Sequence, residues 1–402
     1  MASFYAFLSV LAASQAALSL GLDVGMISST LVQPTFISYF HNPSSSQTGG
    51  IVAAFSAGAT FGAYACSWIG DPHGRIWALR VGAVIAVVGC ALQAGAVHAA
   101  MLIVGRGPLA VQAIPLVLLI PVTLVIPESP RWLIMKGRET EALEILARLG
   151  GGNIKDEFVQ AEFNEIQLHV TAEQQAFKPT WKEIALRPSW RRRVLLAAAL
   201  QIFGQATGIN CVQYYAATTY TKLGFDTNQS LLINLLYGAI GLISALIWVV
   251  SIDRFSHVKL LIVTTLFMAA ALLVQSVLSA VYTKEDPNSN ALKAQVAMFF
   301  VFKLGFVAVG MLSWLIPPEM SPLAIRAKVN SVSVSVNNIA GLVVAEVSPI
   351  ALDAIGFKFF YVYVACDLVA SVFYYFCLPD TNGLTLEEMD VKFGDQVYYF
   401  CR

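Results

Sequence analysis

The chain is a succession of apolar blocks, each about as long as a bilayer is thick, and that alone excludes most folds. A membrane-crossing helix needs about 20 mostly apolar residues. Such blocks fall near 1–26, 49–70, 76–98, 101–126, 194–217, 229–251, 258–282, 294–317, 327–349 and 357–378. A backbone in lipid must satisfy its own hydrogen bonds, so each block reads as a helix. Only 12% of the 402 residues are charged, about half the share of an ordinary soluble domain. The expected fold is therefore an all-α polytopic membrane protein.

One long polar stretch interrupts the series. Residues 127–193 begin Pro127-Glu128-Ser129-Pro130-Arg131-Trp132-Leu133 and carry eleven of the 25 Lys and Arg residues, including Arg191-Arg192-Arg193. This divides the chain into a four-helix N-terminal transmembrane half (1–126), a cytoplasmic helical linker (127–193), a six-helix C-terminal half (194–378) and a cytoplasmic tail (379–402). Within the linker, Arg138–Leu149 and Lys155–Phe177 have helical periodicity with mixed charge on one face and read as short solvated helices. The Lys/Arg bias puts the linker inside. Arg75, Arg80, Arg254, Lys259, Arg326 and Lys328 share its side, and only Lys222, Lys284, Lys293 and Lys358 fall opposite. Ten crossings return both termini to the cytoplasm. Residues Met1 to Met26 lack the positive start of a signal peptide and read as a first span. The sequon Asn228-Gln229-Ser230 then faces outside, close to the membrane.

Enzyme chemistry finds no support. There are no paired carboxylates, no nucleophile–His spacing and no glycine-rich phosphate loop. The six cysteines form no CxxC pair, so neither a disulfide framework nor a zinc site is expected. No cofactor, metal or nucleic-acid partner is expected, and the chain reads as a monomer.

An internal repeat runs through the two halves, as in many transporters. Gly70-Asp71-Pro72-His73-Gly74-Arg75 corresponds to Ile252-Asp253-Arg254-Phe255-Ser256-His257, and Ile126-Pro127-Glu128-Ser129 to Leu378-Pro379-Asp380-Thr381. Asp71 to Pro127 is 56 residues and Asp253 to Pro379 is 126. The 70-residue difference is the length of two helices with their loops. The first half thus lacks a helical hairpin.

Gly21-Leu22-Asp23-Val24-Gly25, Gly70–Arg75, Pro127–Leu133, Gln205-Ala206-Thr207-Gly208-Ile209-Asn210 with Tyr214-Tyr215, Glu319-Met320-Ser321-Pro322 with Arg326, and Pro379-Asp380-Thr381-Asn382-Gly383 with Leu386-Glu387-Glu388 make the chain resemble a sugar transporter of the major facilitator superfamily. Six such motifs stand in the family's order. The resemblance implies a helix bundle of the major facilitator type, here with about ten transmembrane helices instead of twelve. Val104-Gly105-Arg106 resembles the opening of the family's fourth helix, and Gly107 onward resembles its sixth. The junction falls near Arg106-Gly107. Removing an out-and-back pair preserves topology.

Asp23 lies deep in the first block, where a charged Asp costs about 2.5–3.5 kcal/mol on insertion scales. The resemblance implies that Asp23 exchanges a proton and pairs with Arg106; a structural ion pair is the plainer alternative. Gln201, Gln205 and Gly208 share one helix face, which Asn210 continues. Amides donate and accept as sugar hydroxyls do, and the family implies sugar contacts for Gln205 and Asn210. Interhelical hydrogen bonding is the plainer reading. Trp314 matches a tenth-helix tryptophan that could stack on a sugar ring, or serve as an interfacial anchor. Asn337 matches a common polar residue, whereas Asn338 stands where the family usually has tryptophan. The pairs Asp71/Arg75, Glu128/Arg131, Asp253/Arg254 and Glu319/Arg326 correspond to the family's cytoplasmic gate; exposed pairs of this kind are worth ~0–1 kcal/mol each. Outside the family pattern, Lys303 and Asp367 lie at similar depth, ~14 Å into their helices at 1.5 Å per residue, and are expected to pair.

The expected function is carriage of a hexose, pentose or polyol by proton-coupled symport and alternating access, at the plasma membrane. Two rivals stay open. One is a membrane sugar sensor, and the other is a truncated, non-transporting splice form or gene-model product.

Overall fold

The computed structural model describes residues 8, 11, 21, 25–94, 113–150, 153–175, 179–282, 289–384 and 386–395. Among them there are helices and turns but no strand. The chain forms two compact units, one of residues 1–26 and 58–177 and the other of 27–57 and 178–402. The short helix α1 (Pro34–Tyr39) and the start of the long α2 (Ser45–His73) belong to the second unit, and α2 from Gly58 onward belongs to the first. The first unit continues with α3 (Arg75–Ala94) and α4 (Ala113–Val125). The linker follows as α5 (Pro130–Met135), α6 (Glu139–Gly150) and α7 (Glu157–Gln175).

The linker helices are built as their periodicity predicts. They bury Trp132, Leu133, Ala142, Leu146, Val159 and Phe163 in a core of their own. The charges stay outside, with Arg138 and Glu141 paired on the exposed face. This explains why so polar a stretch is still ordered: three short helices need only one shared apolar seam.

In the second unit, α8 (Trp181–Leu186) is held by a reciprocal capping box between Thr180 and Glu183. After it come α9 (Pro188–Ala206), α10 (Ile209–Tyr214) and α11 (Ala216–Leu223). Four long helices follow: α12 (Thr227–Ser251), α13 (His257–Val281), α14 (Ser289–Glu319) and α15 (Leu323–Ala354). The last two are α16 (Phe359–Cys377) and the short tail helix α17 (Leu386–Lys392). Asp226 and Gln229 form a second capping box at the start of α12.

Six helical spans of the described residues are long and apolar enough to cross a membrane, at 188–214, 227–254, 257–281, 290–319, 324–354 and 356–377. These are the six blocks expected after the linker, with ends shifted by one to six residues. α12 leaves Leu235, Leu242, Leu246 and Val250 exposed, as a helix facing hydrocarbon should. Most of the first apolar block and the stretch 95–112 lie outside the described residues.

The internal repeat is visible as contacts. In the first unit, the Glu128 carboxylate accepts from the Ile76 amide at 3.3 Å, at the start of α3. In the second, Asp380 accepts from the His257 amide at 3.1 Å, at the start of α13. A carboxylate is favoured at a helix N-terminus, where amides lack intrahelical partners. Gly74, at φ +107°, makes the first contact possible, because a Cβ there would lie 2.6 Å from the Glu128 carboxylate. α3 packs on α4 as α13 packs on α16.

Candidate functional site

The span expected to carry the substrate contacts is broken. α9 ends at Ala206, and Gly208 adopts φ +84° before α10 begins. Only glycine takes that conformation without strain, and a Cβ there would lie 2.6 Å from the Tyr363 ring. The break turns Asn210 back toward the end of α9. Its Nδ2 donates to Gln205 Oε1 at 2.7 Å and to the Gly341 carbonyl on α15 at 3.4 Å. One turn below, Asn337 Nδ2 on α15 donates to Gln201 Oε1 at 2.9 Å. Gln201 Nε2 in turn donates to the Ser313 carbonyl on α14 at 2.7 Å. One turn above, the Tyr215 hydroxyl donates to the Ala345 carbonyl at 3.0 Å. Asn337, Gly341 and Ala345 are spaced by four, so one face of α15 carries all three contacts.

The two glutamines differ in what remains open. Gln201 is wholly buried and both ends of its amide are used within the protein. Gln205 and Asn210 are half-buried. Among the described residues, the Gln205 amino group and the Asn210 carbonyl make no further hydrogen bond, which leaves a donor and an acceptor available. Asn338 is half-buried and stands just outside this chain of amides; Trp314 is 46% exposed on α14. The spacing in the sequence did not reveal Ser313 or Gly341. The signal for Gly341 was present, as a small residue four positions after Asn337.

Asp23 and Arg106 lie outside the described residues, as do the side chains of Asp71 and Arg75. Of the remaining gate residues, Glu128 caps α3 and Arg131 lies half-buried in the first turn of α5. In the second unit the pairing differs from expectation. Arg326 turns to the Ser321 carbonyl, at 3.2 and 3.3 Å. Glu319 instead accepts from the Thr381 hydroxyl at 2.6 Å and lies 3.3 Å from His257 Nδ1. Asp253 and Arg254 are exposed in a short 3-10 turn, where Asn382 donates to the Asp253 carbonyl at 3.3 Å. Burial would raise the Asp380 carboxyl, but hydrogen bonds from Ser256 and from the Asn382, Val258 and His257 amides outweigh it and hold it below the usual carboxylate range.

The expected Lys303–Asp367 pair does not form. Asp367 is fully buried in α16, and neither carboxyl oxygen has a hydrogen-bond partner among the described residues. Lys303 lays its ammonium over the Tyr237 ring at 4.9 Å and that of Phe306 at 5.9 Å. Equal depth fixed the height of the two residues but not their direction round the helix. Lys303 faces α12, where the bare Gly241 admits its stem and the Tyr237 face stabilises the cation.

The family described as "Sugar (and other) transporter" matches at residues 8–107 and 106–393. The chain belongs to that family. It is thus an integral, multi-pass membrane transporter and not an enzyme. The two matched stretches overlap at 106–107, where the resemblance places the junction. The "MFS-type transporter criB" of Aspergillus cristatus is 27% identical over 439 aligned positions, covering 93% of this chain and 90% of the relative. Because 93% of 402 residues is about 374, some 65 of those positions face no residue here, about two helices with their loops. "Sugar transport protein 4" of Arabidopsis thaliana is 30% identical over 290 residues, 71% of this chain but only 55% of the relative. The fold is that of the "proton:xylose symporter XylE" from E. coli, solved bound to 6-bromo-6-deoxy-D-glucose. The TM-score is 0.71 at 21% identity, over 97% of this chain and 99% of that one.

Proposed function

We propose that this protein carries a hexose, pentose or polyol across the plasma membrane by proton-coupled symport, working as a monomer through alternating access. The observation that carries the reading is the amide chain of α9, α10 and α15. Among the described residues it holds Gln205 and Asn210 at a helix break with a donor and an acceptor open, the pairing that a hydroxyl requires. The relative named a sugar transport protein supports the substrate class, and the xylose symporter of the same fold supports proton coupling. In this reading Gln205, Asn210, Asn338 and Trp314 touch substrate, while Gln201 and Asn337 hold the face in place. Asp23 takes the proton and Arg106 is its partner. Asp71, Arg75, Glu128, Arg131, Asp253, Arg254, Glu319 and Arg326 form the cytoplasmic gate, with His257 and Thr381 added in the second half. The halves 1–126 and 194–378 move about the linker 127–193, with linker, tail and both termini in the cytoplasm.

The test is uptake by the purified chain in proteoliposomes. A panel of labelled hexoses, pentoses and polyols is supplied with and without an inward proton gradient. One substrate should accumulate only with the gradient. Asp23→Asn should abolish accumulation yet retain exchange of that substrate between the two sides. Binding without uptake or exchange for every substrate would overturn carriage in favour of a sensor.

A further inference from the structure

At the tail end of the second unit, α9 and α16 part to leave a groove of about 760 Å³ on the outer surface. Both helices are membrane spans, one beginning and the other ending at this level. The groove exists because α9 presents Ala198 and Ala199 to Phe373 of α16, and two methyl groups do not fill the gap. Its rim is apolar and open, with Leu195 62% and Phe376 75% exposed.

The mouth of the groove is cationic. Arg191 and Arg192 line it, in the first turns of α9. Four arginines lie within seven residues here, and they divide into two classes. Arg193 is fully buried between Asp390 at 2.8 Å and Asp395 at 3.2 Å, and Arg187 pairs with Asp395 at 2.7 Å. Arg191 reaches only the Ala185 carbonyl at 3.4 Å, and Arg192 lies over the Phe393 ring at 5.7 Å. Among the described residues neither meets a carboxylate. The tail thus pairs its carboxylates with the exposed Arg187 and the buried Arg193 and leaves the two groove-facing arginines without one. The N-terminus of α9 adds its own partial positive charge at the same place.

We propose that this groove binds one anionic phospholipid, with the phosphate held by Arg191 and Arg192 and an acyl chain laid along Ala198, Ala199 and Phe373. A neutral lipid satisfies the apolar walls but leaves two guanidinium groups at the headgroup level without a counter-ion. A free anion satisfies the arginines but leaves the walls bare. Only a molecule with both parts matches the surface. Basic pockets between transmembrane helices at the cytoplasmic face are suited to such headgroups.

Native mass spectrometry of the purified protein in detergent tests this, with palmitoyl-oleoyl phosphatidylglycerol and phosphatidylcholine as probes. Wild type should retain one phosphatidylglycerol in preference to phosphatidylcholine. Arg191→Gln with Arg192→Gln should weaken phosphatidylglycerol roughly thirtyfold, at about a factor of five per arginine. Ala199→Leu keeps both charges and fills the groove, and should lose the lipid too; thermal unfolding of each variant confirms that it remains folded. Equal phosphatidylglycerol binding by wild type and the double Gln variant overturns the proposal. So does displacement of the lipid by glycerol phosphate at matching concentration, which would mark a headgroup-only site. Stronger lipid binding after removal of residues 396–402 would instead identify the chain's own end as the occupant.

Discussion

Gln201 and Gln205 are one helical turn apart and chemically identical, yet their replacement by Ala should act on different quantities. Gln201→Ala removes an amide whose two ends are both used inside the protein. The buried Ser313 carbonyl loses its donor, and leaving such a group unsatisfied costs about 1–3 kcal/mol. Asn337 is only half-buried, so water partly replaces its lost acceptor, at about 0.5–1 kcal/mol. The sum is roughly 1.5–4 kcal/mol of stability, a drop of several degrees in Tm. Gln205→Ala removes one bond to Asn210, which keeps the Gly341 carbonyl. Stability should change little. Substrate loses one neutral hydrogen bond, worth about 0.5–1.5 kcal/mol, and KM should rise about two- to twelvefold. Thermal unfolding in detergent and initial uptake rates in proteoliposomes measure the two effects separately. A Gln201→Ala variant with unchanged Tm and raised KM, beside a Gln205→Ala variant with lowered Tm and unchanged KM, would show the assignments reversed.

Three more outcomes are expected. Gly208→Ala should fold poorly, since it adds left-handed strain of about 1–3 kcal/mol to a clash with the Tyr363 ring; normal yield and Tm would show that the break between α9 and α10 is not required. Asp395→Ala removes one of two carboxylates from the fully buried Arg193, along with the Arg187 and Ser189 contacts. Breaking a buried pair outright costs about 3–5 kcal/mol; with Asp390 still in place about half of that is expected, read as a lower Tm that Asp390→Ala, Asp395→Ala together depress further. The Asp380 carboxyl lies below its unfolded value, so its contribution is present above about pH 4 and is lost as pH falls through the folded value. Asp380→Asn should therefore be less stable at neutral pH and lose less on acidification, and parallel Tm–pH curves for the two proteins would refute the role of this carboxyl.

Much of this architecture was legible because hydrocarbon leaves a chain few options. The apolar blocks after the linker became spans with ends shifted by a few residues, as at Pro188 and Ala354, where helices run past the apolar limit into the interface. The repeat was legible too, since Glu128 and Asp380 hold equivalent helix ends. What failed was direction. Depth placed Lys303 beside Asp367, but a helix face turns 100° per residue, and the cation found an aromatic ring on another neighbour. Glu319 and Arg326 are seven residues apart on either side of a Ser321-Pro322 turn, which sends the arginine to its own turn's carbonyl. The acid meets His257 and Thr381, residues 62 positions away on either side of it. Sequence spacing also could not tell Gln201, committed to Ser313, from Gln205, left partly open, because the difference lies wholly on α14 and α15.

The matched carboxylate contacts in the two units bear on how a shortened half can assemble. Each is a ring closed through the chain, and the closing residues are 52 apart for Ile76 and Glu128 but 123 apart for His257 and Asp380. For a flexible chain the entropic cost of closure grows as (3/2)RT ln n, so the smaller ring is favoured by about 0.8 kcal/mol. The segment that the relatives carry and this chain lacks falls inside that first ring. Its loss therefore leaves the latch intact and makes it easier to close: α3 and α4 become near neighbours in sequence, able to meet as a hairpin without waiting for an intervening pair of spans.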